Sequence, residues 1–514
     1  MGFMNDMKTT ALNSSANVSV TENGAVGFES TGKSLVDMNF AVSSMRGWSV
    51  EDIENSFTKA FYENKLLALK WLFYVADVRG GSGERRLFTI CFKWLAKMDP
   101  ELAKRLIKFI PEYNRWDSIF SVFGTECEND AINIIKSQLY QDLEDCDNGK
   151  PISLLAKWMP SINATSEDTK KLARCLAGKL KLKYKSYRQF LSKLRKYLKV
   201  VEVDMSNNEW DKIDYAKVPS RANVIYKNAF MKHDQERRTA YLESLVKGET
   251  KINGAVNFPH DIIHAYRISN GLDVTYEELW KALPDYVNSN GNTICVKDGS
   301  GSMRHNYIAN TNLNCDEVAT GLAIYFAEKC SGEFKDNFIT FSAHPRFIDM
   351  SNCKSLREKI SVCRAYNEYA NTNIEAVFNL ILKTAIRKQL KQEDIPTNIL
   401  ILSDMEFDDC TQSNGGHSVM RDYHCDGINL FDLIKKKYEE KGYKLPRLVF
   451  WNIYSRTNTI PVIENELGVA LVSGFSPATV KMVLSNKANP YDCLVEQLNS
   501  IRYSPIEEAV KDLL

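Results

Sequence analysis

Thr293-Ile294-Cys295-Val296-Lys297-Asp298-Gly299-Ser300-Gly301-Ser302-Met303 joins a short apolar run to a glycine-bearing loop with one carboxylate and two hydroxyls on alternate residues. The run reads as a buried strand, and Asp298, Ser300 and Ser302 form an all-oxygen set suited to a hard divalent cation such as magnesium. Such an ion is seldom caged by protein alone, which leaves a coordination position for a partner. Downstream, Ile399-Leu400-Ile401-Leu402-Ser403-Asp404-Met405-Glu406 is a second apolar run ending in acid. It reads as a buried parallel strand with a carboxylate at its carboxyl end, the edge at which open α/β sheets bind ligands. Taken alone, Asp-x-Ser-x-Ser also reads as a helix N-cap followed by a glycine turn.

The texture around these runs is strand-helix alternation. Apolar strands are predicted at 293–297, 337–342, 398–404, 447–453 and 469–472, with helices near 315–330, 372–391, 427–440 and 476–485. Alternation of this kind means an α/β domain built on a parallel sheet with covered faces. Upstream the pattern is helical: 49–78, 84–96, 100–110, 131–143 and 153–158 repeat apolar residues at helical spacing between short turns. Consecutive amphipathic helices with short links predict an all-α helical-repeat domain, a HEAT-like solenoid of stacked antiparallel pairs, without a fixed sequence period. Residues 1–30, rich in Ser, Thr, Asn and Gly, are expected as a mobile or extended arm. The expected division is therefore arm 1–30, helical domain 31–285 and α/β domain 286–514.

The ordered series strand-Asp-x-Ser-x-Ser, helix, strand, threonine loop, helix, strand-Ser-Asp resembles the von Willebrand factor A domain with its metal-ion-dependent adhesion site, over roughly 286–514. The resemblance implies Ser300 and Ser302 as hydroxyl ligands, with Thr372 of Asn371-Thr372-Asn373 as the third. Asp298 and Asp404 then hold metal-bound waters or ligate directly. Thr340 and Thr384 are also available for the threonine role, and Ala370-Asn371 stands where the family has a glycine pair. In that family the remaining position takes a carboxylate from a protein partner, so the implied site is an adhesion device for magnesium or another divalent cation such as manganese. No base is placed by motif to activate a metal-bound water, and no catalytic residue is expected.

The helical part has its own signatures: Asp77-Val78-Arg79-Gly80-Gly81-Ser82-Gly83-Glu84-Arg85-Arg86, Ile110-Pro111-Glu112-Tyr113-Asn114-Arg115-Trp116-Asp117, Lys157-Trp158-Met159-Pro160-Ser161 and Ile213 to Ser220. With the metal loop and Val449-Phe450-Trp451-Asn452, they resemble the family called domain of unknown function 2828, from Thr21 onward. That family is similar to the Ro ribonucleoprotein autoantigens, in which a TROVE module of helical repeats joins a von Willebrand A domain. The resemblance implies a ring of repeats that takes single-stranded RNA ends in its hole and structured RNA on its rim.

For RNA, residues 169–201 offer the densest basic stretch: Lys179, Lys181, Lys183, Lys185, Arg188 and Lys193 lie among further lysines and arginines, with Tyr184, Tyr187, Phe190 and Tyr197 interleaved. Cations neutralise phosphates and aromatic rings stack unpaired bases, the general recipe for single-strand binding. The plainer reading is a solvated helix face with its aromatics in the core, supported by leucines at helical spacing. Arg79-Gly80-Gly81-Ser82-Gly83 reads as a backbone nest for an anion beside Arg85 and Arg115, or as a flexible turn between helices. It is no Walker loop, because no Gly-Lys-Ser/Thr follows.

The totals bound the rest. A chain of 514 residues with 25% charged side chains, a formal net charge of +1 and a mean hydropathy of −0.32 is too long for one core, and too balanced to claim nucleic acid by charge alone. No apolar segment approaches the roughly 20 residues that span a bilayer, and Met1 to Asp6 carries neither leader nor myristoylation pattern. Twelve scattered cysteines without a Cys-x-x-Cys pair predict reduced thiols and a cytoplasmic protein. His260 and His264, four apart after a proline, are expected to be structural. The sequence thus predicts a non-catalytic RNA-binding protein with a divalent-metal adhesion site; the alternative is an assembly scaffold whose metal site docks an acidic residue of a partner.

Overall fold

Runs of β-branched and aliphatic residues, uninterrupted by turn formers, build the centre of the α/β part. The computed structural model describes residues 17–269, 273–287, 292–341, 345–365, 374–407, 430–485 and 487–514. After a small hairpin of β1 (Ser19–Val20) and β2 (Val26–Gly27) come β3 (Thr293–Asp298), β4 (Asn337–Phe341), β5 (Arg346–Asp349), β6 (Asn398–Ser403), β7 (Arg447–Asn452) and β8 (Val469–Ser473). The last six form one sheet in the order β5-β4-β3-β6-β7-β8. All its pairings are parallel except β4 with β5. Strands β3, β7 and β8 are buried along their whole length, as strands covered on both faces must be. The edge strand β5, exposed at three of four positions, has no counterpart among the predicted strands, since Arg-Phe-Ile-Asp carries no apolar run.

Chain order and sheet order diverge at β3. The chain leaves β3 for β4 on one side, whereas β6 pairs on the other, so the strand order reverses between β3 and β6. A reversal of this kind opens a crevice at the carboxyl ends of the two strands. Asp298 ends β3 and Asp404 follows β6, which puts both acids at that crevice.

The contacts divide the chain into two compact units, Met1–Ala68 with Asn257–Ser500, and Leu69–Val256 with Ile501–Leu514. This differs from the linear division at 285, because helices on both sides of the helical stretch cover the sheet. Helix Ser34–Phe40 packs on β8, Asn452 Nδ2 donates to Phe40 O at 2.9 Å, and Ser43 N donates to Ser473 Oγ at 3.0 Å. Helix Pro259–Arg267 packs on helix Cys315–Lys329 at Gly321, where an added Cβ would stand 3.0 Å from His260 N. His264 Nδ1 sits 3.1 Å from both Glu317 oxygens and Arg267 Nε 2.9 Å from Oε1, so the His260/His264 pair serves packing, with an acidic partner that the sequence did not disclose. The described part of the N-terminal arm is extended and tied to the sheet unit, with Phe28 N and Ile460 O at 2.8 Å.

The second unit is helical. The expected helix over 49–78 is two, Val50–Glu63, which belongs to the first unit, and Lys65–Ala76, because Asn64 is extended and its Oδ1 accepts from Leu67 N at 2.9 Å. Phe73 meets Phe88, Phe92 and Tyr113 edge-on in the core. Asp77, fully buried, accepts from Arg502 Nη2 at 2.9 Å and Tyr503 Oη at 3.2 Å, and Lys70 Nζ reaches Glu507 at 2.5 Å, fastening the C-terminal segment to this unit. Among the described residues no helix is long and apolar enough to cross a membrane, and every cysteine is free.

Candidate metal centre and basic surface

At the crevice, Asp298 is fully buried and both carboxylate oxygens are engaged: Oδ1 accepts from Ser300 N at 2.9 Å and Oδ2 from Ser403 Oγ at 2.7 Å. The first contact folds the Gly299 turn back on the aspartate and carries Ser300 to the N-terminus of helix Gly301–His305. Ser300 Oγ and Ser302 Oγ then lie 3.0 Å apart. Asp404, also fully buried, hydrogen-bonds Ser302 and accepts at Oδ2 from Arg456 Nη1 at 2.9 Å. Four of the five expected ligands, Asp298, Ser300, Ser302 and Asp404, are thus linked through side-chain and backbone contacts. Thr372 lies outside the described residues. Thr340 Oγ1 and Thr384 Oγ1 both turn to backbone carbonyls, of Arg346 at 3.5 Å and Leu380 at 2.8 Å.

Burial raises the proton affinity of both acids. Burial and then the Asp404 charge push the Asp298 carboxyl up to about 7, and burial raises Asp404 against the pull of Arg456. A buried anionic pair with two hydroxyls fits a divalent cation, which would compensate the charge and take oxygen donors only. Among the described residues no group of three or more His, Cys, Asp or Glu side chains forms a metal cluster, so any metal here relies on the serine hydroxyls. The cation's contribution would be a positive centre for a partner's carboxylate.

Two residues to which the sequence reading gave no role complete the crevice. Glu406, fully buried, accepts from Ser455 Oγ, Arg456 N, Thr457 N and Glu22 N at 2.8–3.1 Å. It therefore fixes both the loop after β7 and the N-terminal hairpin. Arg456 bridges Asp404 and Glu22, the latter at 2.7 Å. The only signal for Glu406 was its place after Ser403-Asp404; Arg456 sits in a loop with no motif. Beneath the site, fully buried Lys297 pairs with Asp316 at 2.6 Å.

The basic run folds as helices Glu167–Lys179 and Tyr184–Tyr197. Its residues divide sharply. Arg195 is structural, donating to Ala156 O, Ser161 Oγ and Met159 O at 2.7–2.8 Å, and buried Tyr187 donates to Pro160 O at 2.8 Å. Lys179 pairs with Glu128 at 2.5 Å and Lys193 with Asp147. Lys181, Lys183, Lys185 and Arg188 are exposed around the turn joining the helices, beside exposed Tyr184. A one-sign group of this kind repels itself, which a polyanion relieves.

In the glycine turn, Gly81 N donates to Asp77 O at 3.0 Å, Ser82 N to Tyr74 O at 3.2 Å and Glu84 N to Val75 O at 2.6 Å, so these three N–H groups are committed within the chain. A Cβ on Gly81 would stand 1.9 Å from Tyr74 O, which explains the glycine by close approach. Arg79 and Arg85 are exposed, while Arg115 chelates Asp117, Nε to Oδ1 at 2.9 Å, and stacks 3.9 Å from the Trp158 ring centroid.

Comparison with known proteins finds two family models. Residues 21–111 and 176–293 match Domain of unknown function (DUF2828), and residues 292–503 match Domain of unknown function (DUF7788). A curated relative, "Uncharacterized protein L728" of Acanthamoeba polyphaga mimivirus, is 29% identical over 532 residues, covering 96% of this chain and 89% of its own. Among solved structures, the RO (RSR) protein of Deinococcus radiodurans aligns at 13% identity with a TM-score of 0.46, over 86% of this chain and 92% of its own. That likeness is too distant to carry a functional argument.

Proposed function

With its DUF2828 match as premise, we propose that this chain is a non-catalytic, cytoplasmic RNA-binding protein of Ro-like kind that also carries a divalent-metal adhesion site. The observation that carries the RNA reading is the exposed group Lys181, Lys183, Lys185 and Arg188 around one turn, with Tyr184 exposed beside it. Lysines and arginine meet phosphates, and Tyr184 offers a face for an unpaired base. Arg79 and Arg85, both exposed, are further phosphate contacts, whereas Arg115 serves through its stack on Trp158. Lys179 and Lys193 exchange surface carboxylates for phosphates at little cost, since exposed ion pairs are weak.

The test is binding of single-stranded RNA by the full chain across a salt series, beside a variant with Lys181, Lys183 and Lys185 changed to Ser. The proposal expects a steep salt slope that the variant flattens; no binding by either protein at low salt refutes it.

A second reading is favoured by one observation, the buried Asp298–Asp404 pair with its two serine hydroxyls. There the metal docks an acidic side chain of a protein partner and the helices are scaffold. Chelator abolishes that docking and leaves RNA binding through the lysines unchanged.

A further inference from the structure

The loop after β7 brings a fixed positive charge to the carboxylate that a cation needs. Arg456 Nη1 lies 2.9 Å from Asp404 Oδ2, and Nη2 lies 2.7 Å from Glu22. The backbones on both sides of this bridge are held in place. Arg456 N donates to Glu406 Oε1 at 2.8 Å, Glu22 N donates to Glu406 Oε2 at 2.9 Å, and Asn23 Nδ2 donates to Glu406 O at 2.7 Å. Thr21 Oγ1 adds a contact to Phe407 O at 2.6 Å. One buried carboxylate, Glu406, thus aligns a loop arginine and an N-terminal glutamate beside Asp404.

A guanidinium and a divalent cation cannot both sit on one buried carboxylate without strong repulsion, because the crevice screens charge far less than water does. We propose, resting on the metal reading above, that Arg456 is a built-in competitor of the metal at Asp404, and that Glu22 retains its guanidinium when the cation takes the site. In the metal-free chain Arg456 neutralises Asp404 and keeps the crevice folded. When a cation arrives, the guanidinium gives up Asp404 and keeps Glu22, whose side chain is half exposed and can follow it. Arg456 therefore sets the metal affinity, and Glu22 offsets part of its opposition.

The two residues then have opposite effects, which a purely structural role would not produce. Manganese binding to the full chain by titration calorimetry measures this directly for wild type, Arg456→Gln and Glu22→Gln. Arg456→Gln is expected to bind manganese about tenfold more tightly or better, since a like charge beside the ion is removed. Glu22→Gln is expected to bind several-fold more weakly, because Arg456 loses its alternative partner; this exposed substitution leaves folding intact and tests the idea even if Arg456→Gln does not fold. Equal binding by all three overturns the competitor while the metal reading stands. Weaker binding by Arg456→Gln overturns it in the same way. Absence of binding in both wild type and Arg456→Gln overturns the metal reading itself, and binding by Arg456→Gln alone supports both.

Discussion

Replacing Asp298 by Asn should stabilise the metal-free protein at neutral pH while removing its response to divalent cations. The substitution is nearly isosteric: the Asn carbonyl still accepts from Ser300 N, and its amide donates to Ser403 Oγ, where the carboxylate accepted. What changes is the charge. Burial and Asp404 carry the Asp298 carboxyl from an ordinary 3.8 to about 7. Between those values the folded protein holds a proton that the unfolded chain has released, so raising the pH favours unfolding. The contribution is intact below about pH 4 and lost above about pH 7, and at about 1.36 kcal/mol per pH unit the loss reaches about 4 kcal/mol. That figure is an upper one, because the two carboxyls titrate as a pair. Asn has no proton to lose. Urea unfolding in EDTA at pH 5, 6, 7 and 8 should therefore show the stability of Asp298→Asn climbing relative to wild type up to about pH 7 and then levelling. A difference that is flat, or that falls with pH, refutes the buried-pair argument.

Other perturbations separate the two units. Magnesium or manganese at a hundredfold excess over its Kd should stabilise wild type by about 2.7 kcal/mol and leave Asp298→Asn unmoved, as read by thermal unfolding. Changing Lys181, Lys183 and Lys185 to Ser should lower the salt slope of RNA binding by about 2, at ~0.7 per lost phosphate contact on a single strand. Arg195→Ala, which removes three hydrogen bonds inside the helical unit, should cost roughly 2–3 kcal/mol in chemical unfolding and leave the RNA salt slope as it is. Gly81→Ala should destabilise by more than about 3 kcal/mol, since its Cβ meets the Tyr74 carbonyl at 1.9 Å; normal stability would contradict the packing of that turn.

The sheet was legible because each parallel strand is a continuous apolar run, and because Asp298 and Asp404 close two of those runs. Strand β5 was not, since an exposed edge strand needs no apolar run. Nor was the packing of helices Ser34–Phe40 and Pro259–Arg267 on the sheet unit, because contacts such as Phe40 with Asn452 leave no periodic trace in either segment. In the candidate site the acids and serines stood in a recognisable order, but Arg456 and Glu22, which pair directly and share Glu406, come from segments without a motif. The basic run shows the same limit: Arg195 and Arg188 look alike in sequence, and only the folded contacts give half-buried Arg195 three hydrogen-bond acceptors and leave Arg188 exposed to solvent. The glycines at 80, 81 and 83 suggested a nest, yet close approach of the Tyr74 carbonyl explains Gly81, the Asp77 and Arg502 side chains crowd Gly80, and Gly83 takes a positive φ.

On the proposed function, RNA lies on the turn joining helices Glu167–Lys179 and Tyr184–Tyr197. Photocrosslinking of a bound uridine-rich single strand to the full chain, followed by peptide mapping, tests it directly. A crosslink is expected at Tyr184 or within residues 181–188, lost when Lys181, Lys183 and Lys185 become Ser. Crosslinks confined to other segments, or none at low salt, would contradict it.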